Sequence, residues 1–227
     1  MFVFDAPATP SVAIAGLAAR YAVHRIYCVG RNYAEHAREM GAAVERETPT
    51  FFMKPGDAVV ANGAAVPYPS GTQNLHHEVE WVVALGGGGR DIAPARALDL
   101  VYGYGVGLDL TRRDLQAAMK AKSLPWDIAK GFDHSAPISD LVPASVCGHP
   151  QSGRIELHVN GELRQHADIA EMILRVPEII AELSKLFELR AGDLIFTGTP
   201  SGVAALERGD RYEARCAGIA RLVGSIT

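Results

Sequence analysis

The sequence predicts an α+β fold rich in strand, carried by a mainly antiparallel or mixed sheet. Three observations lead there. Strand-like segments outnumber helical ones, the two kinds do not alternate regularly, and 227 residues suit a single hydrophobic core. A doubly wound sheet would require the alternation that is missing.

Residues 1–24 read as an Ala- and Pro-rich lead-in of weak pattern, ahead of a single domain over residues 25–227. HRIYCVG (24–30) has the apolar run of a buried strand. Asn32 followed by Glu35 has the spacing of a helix start, Gly41 supplies a stop, and YAEHAREM between them suits a helix of about two turns. FFMKPGDAVV and HHEVEWVVALG are dominated by aromatic and β-branched residues and bounded by Gly or Pro, so both read as strands. GYGVGLDL (103–110) reads as a strand whose glycines permit close backbone approach. TRRDLQAAMKAK then forms a helix with its Arg and Lys residues on a solvated face. RIELHVN and ELRQHA flank Asn160-Gly161, the strongest short-range signal for a type I′ hairpin. In PEIIAELSKLF a proline opens a helix whose apolar stripe is Ile179, Ile180, Leu183, Leu186 and Phe187. DLIFTGTPSGV and RYEARCAGIARLVGSI return to strand and turn chemistry.

Composition excludes several classes. Hydrophobic residues at 48% and charged residues at 21% are globular averages, and a net charge of -4 offers no field to attract a nucleic-acid backbone. No segment has the basic and apolar stretches of a signal peptide or the uninterrupted apolar length of a membrane span, so the expectation is a cytoplasmic protein without membrane partners. Cys28, Cys147 and Cys216 are odd in number and lack CxxC spacing, which suggests neither disulfides nor a zinc-thiolate site.

Chemistry concentrates in a few residues. On a strand, His76, Glu78 and Glu80 share one face, and two carboxylates so placed repel each other unless a cation neutralises them. A hard ion, Mg²⁺ or Mn²⁺, suits oxygen ligands best. Asp109 adds an acid to an apolar, glycine-rich strand, where a lone buried carboxylate is costly. On pattern alone the plainer reading is an edge strand with a solvated acidic face, and Asp109 has a bland alternative in capping the next helix, although Thr111 is better placed for that. His36 and Glu39 are three apart on one helix face, so the carboxylate can orient the imidazole, yet such surface pairs are usually incidental. Lys54 and Lys130 stand beside apolar, turn-rich sequence and can bind an anionic oxygen or simply snorkel. Gly86 to Gly89 and GTPSG lack nucleotide-binding spacing; the latter is a turn whose N–H groups can receive a carboxylate.

Taken together, GRNYAEHAREMG, FFMKPGDAVV, LHHEVEWVVALG, GYGVGLDLTRRDLQ, PWDIAKGFDHSAPI, VNGELRQ and GDLIFTGTPSGV closely resemble the fumarylacetoacetate hydrolase family. The likeness runs from about residue 25 to about 215 and is greatest to the short single-domain branch holding fumarylpyruvate and acylpyruvate hydrolases. It implies a mixed β-sheet roll, usually a homodimer, with one Mg²⁺ or Mn²⁺ per subunit. By resemblance Glu78, Glu80 and Asp109 are the metal ligands, His36, Glu39 and Lys130 the catalytic residues, and Arg31, Lys54, Gln116 and Thr199 the substrate-binding residues. His76, nominated by strand geometry as a fourth ligand, keeps at most a supporting role, because the family pattern uses three carboxylates. The implied reaction is hydrolysis of a C–C bond in a small 2-oxo acid, with 3-fumarylpyruvate of gentisate breakdown as substrate. The alternatives are oxaloacetate decarboxylation, an isomerase or tautomerase acting on a related acid, and a noncatalytic metal-stabilised β module.

Overall fold

The computed structural model describes residues 2–41, 46 and 49–227. The first six strands are β1 (Ser11–Ile14), β2 (Leu17–Ala22), β3 (Arg25–Gly30), β4 (Thr50–Lys54), β5 (Val59–Val60) and β6 (Ala65–Val66). Next come β7 (Leu75–His76), β8 (Val79–Leu85), β9 (Val101–Leu108), β10 (Thr111–Arg112), β11 (Ala136–Pro137) and β12 (Val142–Pro143). The last are β13 (Arg154–Val159), β14 (Glu162–Asp168), β15 (Asp193–Phe196), β16 (Ala205–Leu206), β17 (Arg211–Cys216) and β18 (Ala220–Ile226). The helices are short: α1 (Ala34–Glu39), α2 (Pro94–Ala97), α3 (Arg113–Ala121), α4 (Asp127–Lys130), α5 (Ala144–Cys147) and α6 (Val176–Leu186).

Two mixed sheets carry the molecule. One has six strands in the order β12-β9-β8-β15-β3-β4, the other five in the order β14-β13-β17-β18-β6. Within the first, β8 pairs antiparallel with both β9 and β15, while β15 runs parallel to β3. Every residue of β8 is buried, because its alternate side chains enter two different cores. Trp81 and Val83 pack with Ile155, Leu157 and Leu222 of the second sheet. Val82 and Ala84 pack on the opposite side with Cys28, Phe196 and the β1–β2 hairpin residues Val12 and Ile14. Glu80 shares the parity of Val82 and Ala84, so it enters this second core.

The β9 glycines serve the close approach expected of them: a Cβ at Gly103 would lie 2.4 Å from Val142 O, and one at Gly107 would lie 2.6 Å from the Phe196 ring. The Asn160-Gly161 hairpin forms with φ of 52° and 84°, as a type I′ turn requires.

Several expectations are corrected. The weakly patterned lead-in is structured: β1 and β2 form a hairpin whose Val12, Ile14 and Tyr21 cover the second core. HHEVEWVVALG is not one strand but breaks at His77-Glu78, and FFMKPGDAVV breaks at Pro55, which has no N–H to donate. The acidic edge strand does not exist, since β8 is interior. Asp109 lies one residue past β9. Neither Asn32 nor Thr111 caps a helix: α1 begins after Tyr33 and α3 after Arg112, both without a side-chain cap. Asn32 instead exchanges hydrogen bonds with Leu174 and donates to Thr197 O at 2.7 Å. On α6, Leu186 points to solvent, 62% exposed, because the helix ends before its stripe completes another turn.

Candidate active site

The break at His77-Glu78 is what makes the site. Asp109 N donates to Glu78 O at 2.9 Å, which joins the broken strand to the end of β9. One carboxylate oxygen from each of Glu78, Glu80 and Asp109 then lies within 4.8 Å of the others, and all three residues are buried. Gly198 N donates to Glu80 Oε2 at 2.7 Å, so the GTPSG turn does receive a carboxylate, one from its own chain.

Three cations pair with two of the three acids, Glu78 and Asp109. Lys130 Nζ, at the end of α4, donates to Glu78 Oε2 at 2.7 Å and to Asp109 Oδ2 at 2.6 Å. Arg113, the first residue of α3, donates to Glu78 Oε1 and through its other nitrogen to Gln116 Oε1 at 2.6 Å. Lys54 Nζ stands 2.8 Å from Asp109 Oδ1 and donates to the carbonyl of Leu110. Arg113 therefore corrects the expectation of a solvated cationic face on α3.

The electrostatics follow from this arrangement. Burial works against ionisation of Glu78, but Lys130 and Arg113 outweigh it and hold the carboxyl well below its ordinary range. Among the described residues Glu80 forms no ion pair with a lysine or arginine; burial first, then the charges of Asp109 and Glu78, push its carboxyl well above the ordinary value. Burial would neutralise Lys130, yet Asp109 and Glu78 keep it an ammonium. Asp109 Oδ1 accepts no aligned hydrogen bond despite its nearby lysine. Three buried hard-oxygen donors, one with an unsatisfied oxygen and one reluctant to ionise alone, fit a divalent cation. His76 is half-buried and outside this cluster; burial, then Arg113 and His77, lower its pKa to about 4.

A cavity of about 410 Å³, counting its open mouth, lies against the cluster and is lined by His36, Glu78, Glu80, Gln116, Lys130 and Thr199, among others. His36 is 6% exposed, and its Nδ1 meets Glu39 Oε2 at 3.1 Å. Glu39 is itself held by Gly202 N at 3.1 Å. Thr199 Oγ1 accepts from Gln165 Nε2 at 2.9 Å. Arg31 lines the cavity with its guanidinium 5.7 Å from the Trp126 ring centroid. Lys54 does not reach the cavity: its side chain is wholly buried behind Asp109.

Sequence reasoning missed Arg113 and Gln165. Arg113 could have been found from its helical spacing to Gln116. Gln165 carried no local signal, since it lies on β14 and its partners, His77, Val79, Thr199 and Pro200, are distant in sequence.

Fold and site together define a strand-rich α+β protein with a buried carboxylate triad, suited to a divalent ion, at the floor of a small-molecule cavity. The family model for the fumarylacetoacetate (FAA) hydrolase C-terminal region matches residues 25–227, and the chain belongs to the fumarylacetoacetate hydrolase family, whose members are enzymes. It is similar to the crystal structure of fumarylpyruvate hydrolase from Pseudomonas aeruginosa in complex with Mn²⁺ and pyruvate, with a TM-score of 0.96 and 50% identity, covering 100% of this chain and 99% of that one. It is also 46% identical over 194 residues to the mitochondrial oxaloacetate tautomerase of Rattus norvegicus, covering 86% of this chain and 87% of the relative. An oxaloacetate tautomerase of Escherichia coli is 44% identical over 191 residues, covering 84% of this chain and 87% of the relative. No helix among the described residues is long and apolar enough to cross a membrane.

Proposed function

We propose that this chain hydrolyses a C–C bond in an acylpyruvate, with 3-fumarylpyruvate giving fumarate and pyruvate. The observation that carries this reading is the buried His36, paired with the partly exposed Glu39, at the wall of a cavity that reaches Glu78 and Glu80 of the carboxylate triad. The 50% identical structure that holds Mn²⁺ and pyruvate supports it. Residues 25–227 are the catalytic unit, with the β1–β2 hairpin as its cover, and the working assembly is a cytoplasmic homodimer.

Glu78, Glu80 and Asp109 hold the divalent ion, which supplies Lewis-acid polarisation of the substrate's 2-oxo-carboxylate end. With its Nδ1–H directed at Glu39, His36 presents an unprotonated Nε2 as general base. Water loses a proton to that nitrogen while its oxygen bonds to the far carbonyl carbon. The C–C bond on the pyruvate side then breaks, its electron pair becomes the enolate of pyruvate, and His36 returns the proton to that carbon. Lys130 uses two of its three N–H donors on Glu78 and Asp109 and offers the third to the enolate oxygen. Gln116, Thr199 and Arg31 orient the substrate, and Lys54 acts from behind by fixing Asp109.

The second reading is oxaloacetate tautomerisation, with decarboxylation as a related outcome, favoured by the relatives at 46% and 44% identity. It needs the same enolate stabilisation but no attacking water. Purified protein with Mg²⁺ or Mn²⁺ is offered fumarylpyruvate, acetylpyruvate and oxaloacetate in parallel, following pyruvate release and the enol absorbance of oxaloacetate. Fumarate and pyruvate in equal amounts are expected from fumarylpyruvate. Turnover confined to oxaloacetate would replace the hydrolase reading with the tautomerase or decarboxylase one.

A further inference from the structure

The floor of the cavity is balanced in charge, but its far wall is not. Arg31 and Lys120 both line that cavity, and neither meets a carboxylate within 4.0 Å or donates a side-chain hydrogen bond among the described residues. Arg31 has φ of 60°, a left-handed conformation that a long side chain adopts only at a cost. That backbone, at the end of β3, is held in place by its neighbour Asn32, which is tied to Leu174 and Thr197. Lys120 comes from the last turn of α3, whose first residue, Arg113, is already paired with Glu78. From Lys130, beside the triad, the rings run outward to Arg31: Lys130 Nζ lies 4.9 Å from the Phe52 ring centroid, that centroid lies 6.0 Å from the centroid of Trp126, and Arg31 lies over Trp126. Desolvation, then the like charges of Arg31 and Arg113, lower the Lys120 pKa, which places the three cations in one field.

Two unpaired cations across an apolar wall from an ion site describe a slot for a molecule with an acid at each end. We infer that Lys120 and Arg31 form a second anion subsite that receives the distal carboxylate of the substrate, making the enzyme selective for dicarboxylic over monocarboxylic 2-oxo acids. This inference rests on the proposed 2-oxo-acid site and adds what the far end of the substrate must carry. Phe52 and Trp126 contact the carbon chain between the two acids, and a substrate ending in a methyl group would leave both cations without a partner.

The test separates the subsite from the reaction by using 2-oxo acids that cannot be cleaved. The Mn²⁺-loaded protein is titrated calorimetrically with 2-oxoadipate and with 2-oxohexanoate, which differ in whether the chain ends in a carboxylate or a methyl. Wild type should bind 2-oxoadipate on the order of 10- to 100-fold more tightly. Lys120→Met, which keeps the apolar stem, should close most of that gap while leaving 2-oxohexanoate binding within about twofold. Equal wild-type affinity for the two acids overturns the subsite and leaves the 2-oxo-acid site standing. Binding of neither overturns both. A loss of affinity for both acids in Lys120→Met would show a general role at the site and overturn the distal assignment.

Discussion

Lys130 Nζ lies 2.6 Å from Asp109 Oδ2, an ammonium against a carboxylate with almost no access to solvent. The same nitrogen holds Glu78, so one side chain from α4 spans the two segments joined by the Glu78–Asp109 backbone bond. Its removal has two separable effects. Turnover of Lys130→Ala should fall by roughly 10² to 10³, the scale of a lost oxyanion donor. The metal-free variant should also lose about 3 kcal/mol of stability in urea, because two buried acids are left without their shared cation. A variant with wild-type turnover would remove Lys130 from the chemistry.

His36→Asn and Glu39→Gln separate the two candidate reactions. His36→Asn should lower kcat for fumarylpyruvate by about 10² to 10⁴, the range for a missing general base, and should reduce oxaloacetate turnover far less. Glu39→Gln should give a smaller loss, since Glu39 orients the imidazole and is anchored on Gly202 N. Parallel loss of both reactions would mean that His36 serves enolisation and not water.

Ion uptake should depend on pH with a definite sign. Glu80 is pushed above its ordinary 4.5, so the folded metal-free protein keeps a proton that the unfolded chain releases. Stability of that form therefore falls as pH rises from 4.5 toward the folded value. Glu78, held below 4.5, contributes with the opposite sign, and its contribution is complete once the unfolded carboxyl is ionised above 4.5. Glu80→Gln should flatten the dependence. A bound ion expels the proton, so Mn²⁺ affinity should strengthen as pH rises above 4.5, and calorimetry in two buffers of different protonation enthalpy should register proton release. Affinity that does not change with pH contradicts the assignment.

Chelation should abolish activity and leave the fold standing. Lys54, Lys130 and Arg113 already balance Glu78, Glu80 and Asp109 in number, so the triad does not depend on an ion for charge neutrality. Far-UV circular dichroism after EDTA should match that of the loaded protein, with a lower midpoint on heating. Collapse of the spectrum would instead favour a module whose metal is structural.

Gln165→Leu tests a residue that lines no part of the cavity. It would strand His77 Nδ1, Val79 N and the Thr199 hydroxyl, all bound by the one buried amide. A cost of about 2 kcal/mol or more is expected, along with a raised KM as the Thr199 turn loosens. Gln165→Glu keeps an acceptor for Val79 N and should recover part of the stability; equal loss in both variants would argue for packing alone.

Much of the site was legible because its residues lie in short, patterned runs. His36 and Glu39 three apart and the GTPSG turn each state a local geometry that the fold keeps, whereas Glu78 and Glu80 come together with Glu78 at a break before β8. The type I′ turn at Asn160-Gly161 is equally local, since positive φ at two successive positions selects those residues. Where local pattern misled, a distant partner had intervened. Asn32 has a cap's spacing but is claimed by Leu174 and Thr197, and Arg113 looks like a surface cation but is claimed by Glu78. The weakly patterned lead-in becomes a hairpin because it closes a core face that the body of the chain leaves open.

By itself the sequence determined the class of fold and, through spacing set by backbone geometry within a few residues, the shared face of His36 and Glu39; the three acids were singled out by resemblance to the family and not by spacing. Only the tertiary structure decided that β8 is interior, that its Glu80 and the preceding Glu78 meet Asp109 beside a broken strand, and that Lys130, Arg113 and Lys54 converge on Glu78 and Asp109 from three other segments. Whether a carboxylate is a solvated edge charge or a buried ligand depends on what surrounds it. Those surroundings come from residues remote along the chain, brought together only when both faces of the sheet are covered.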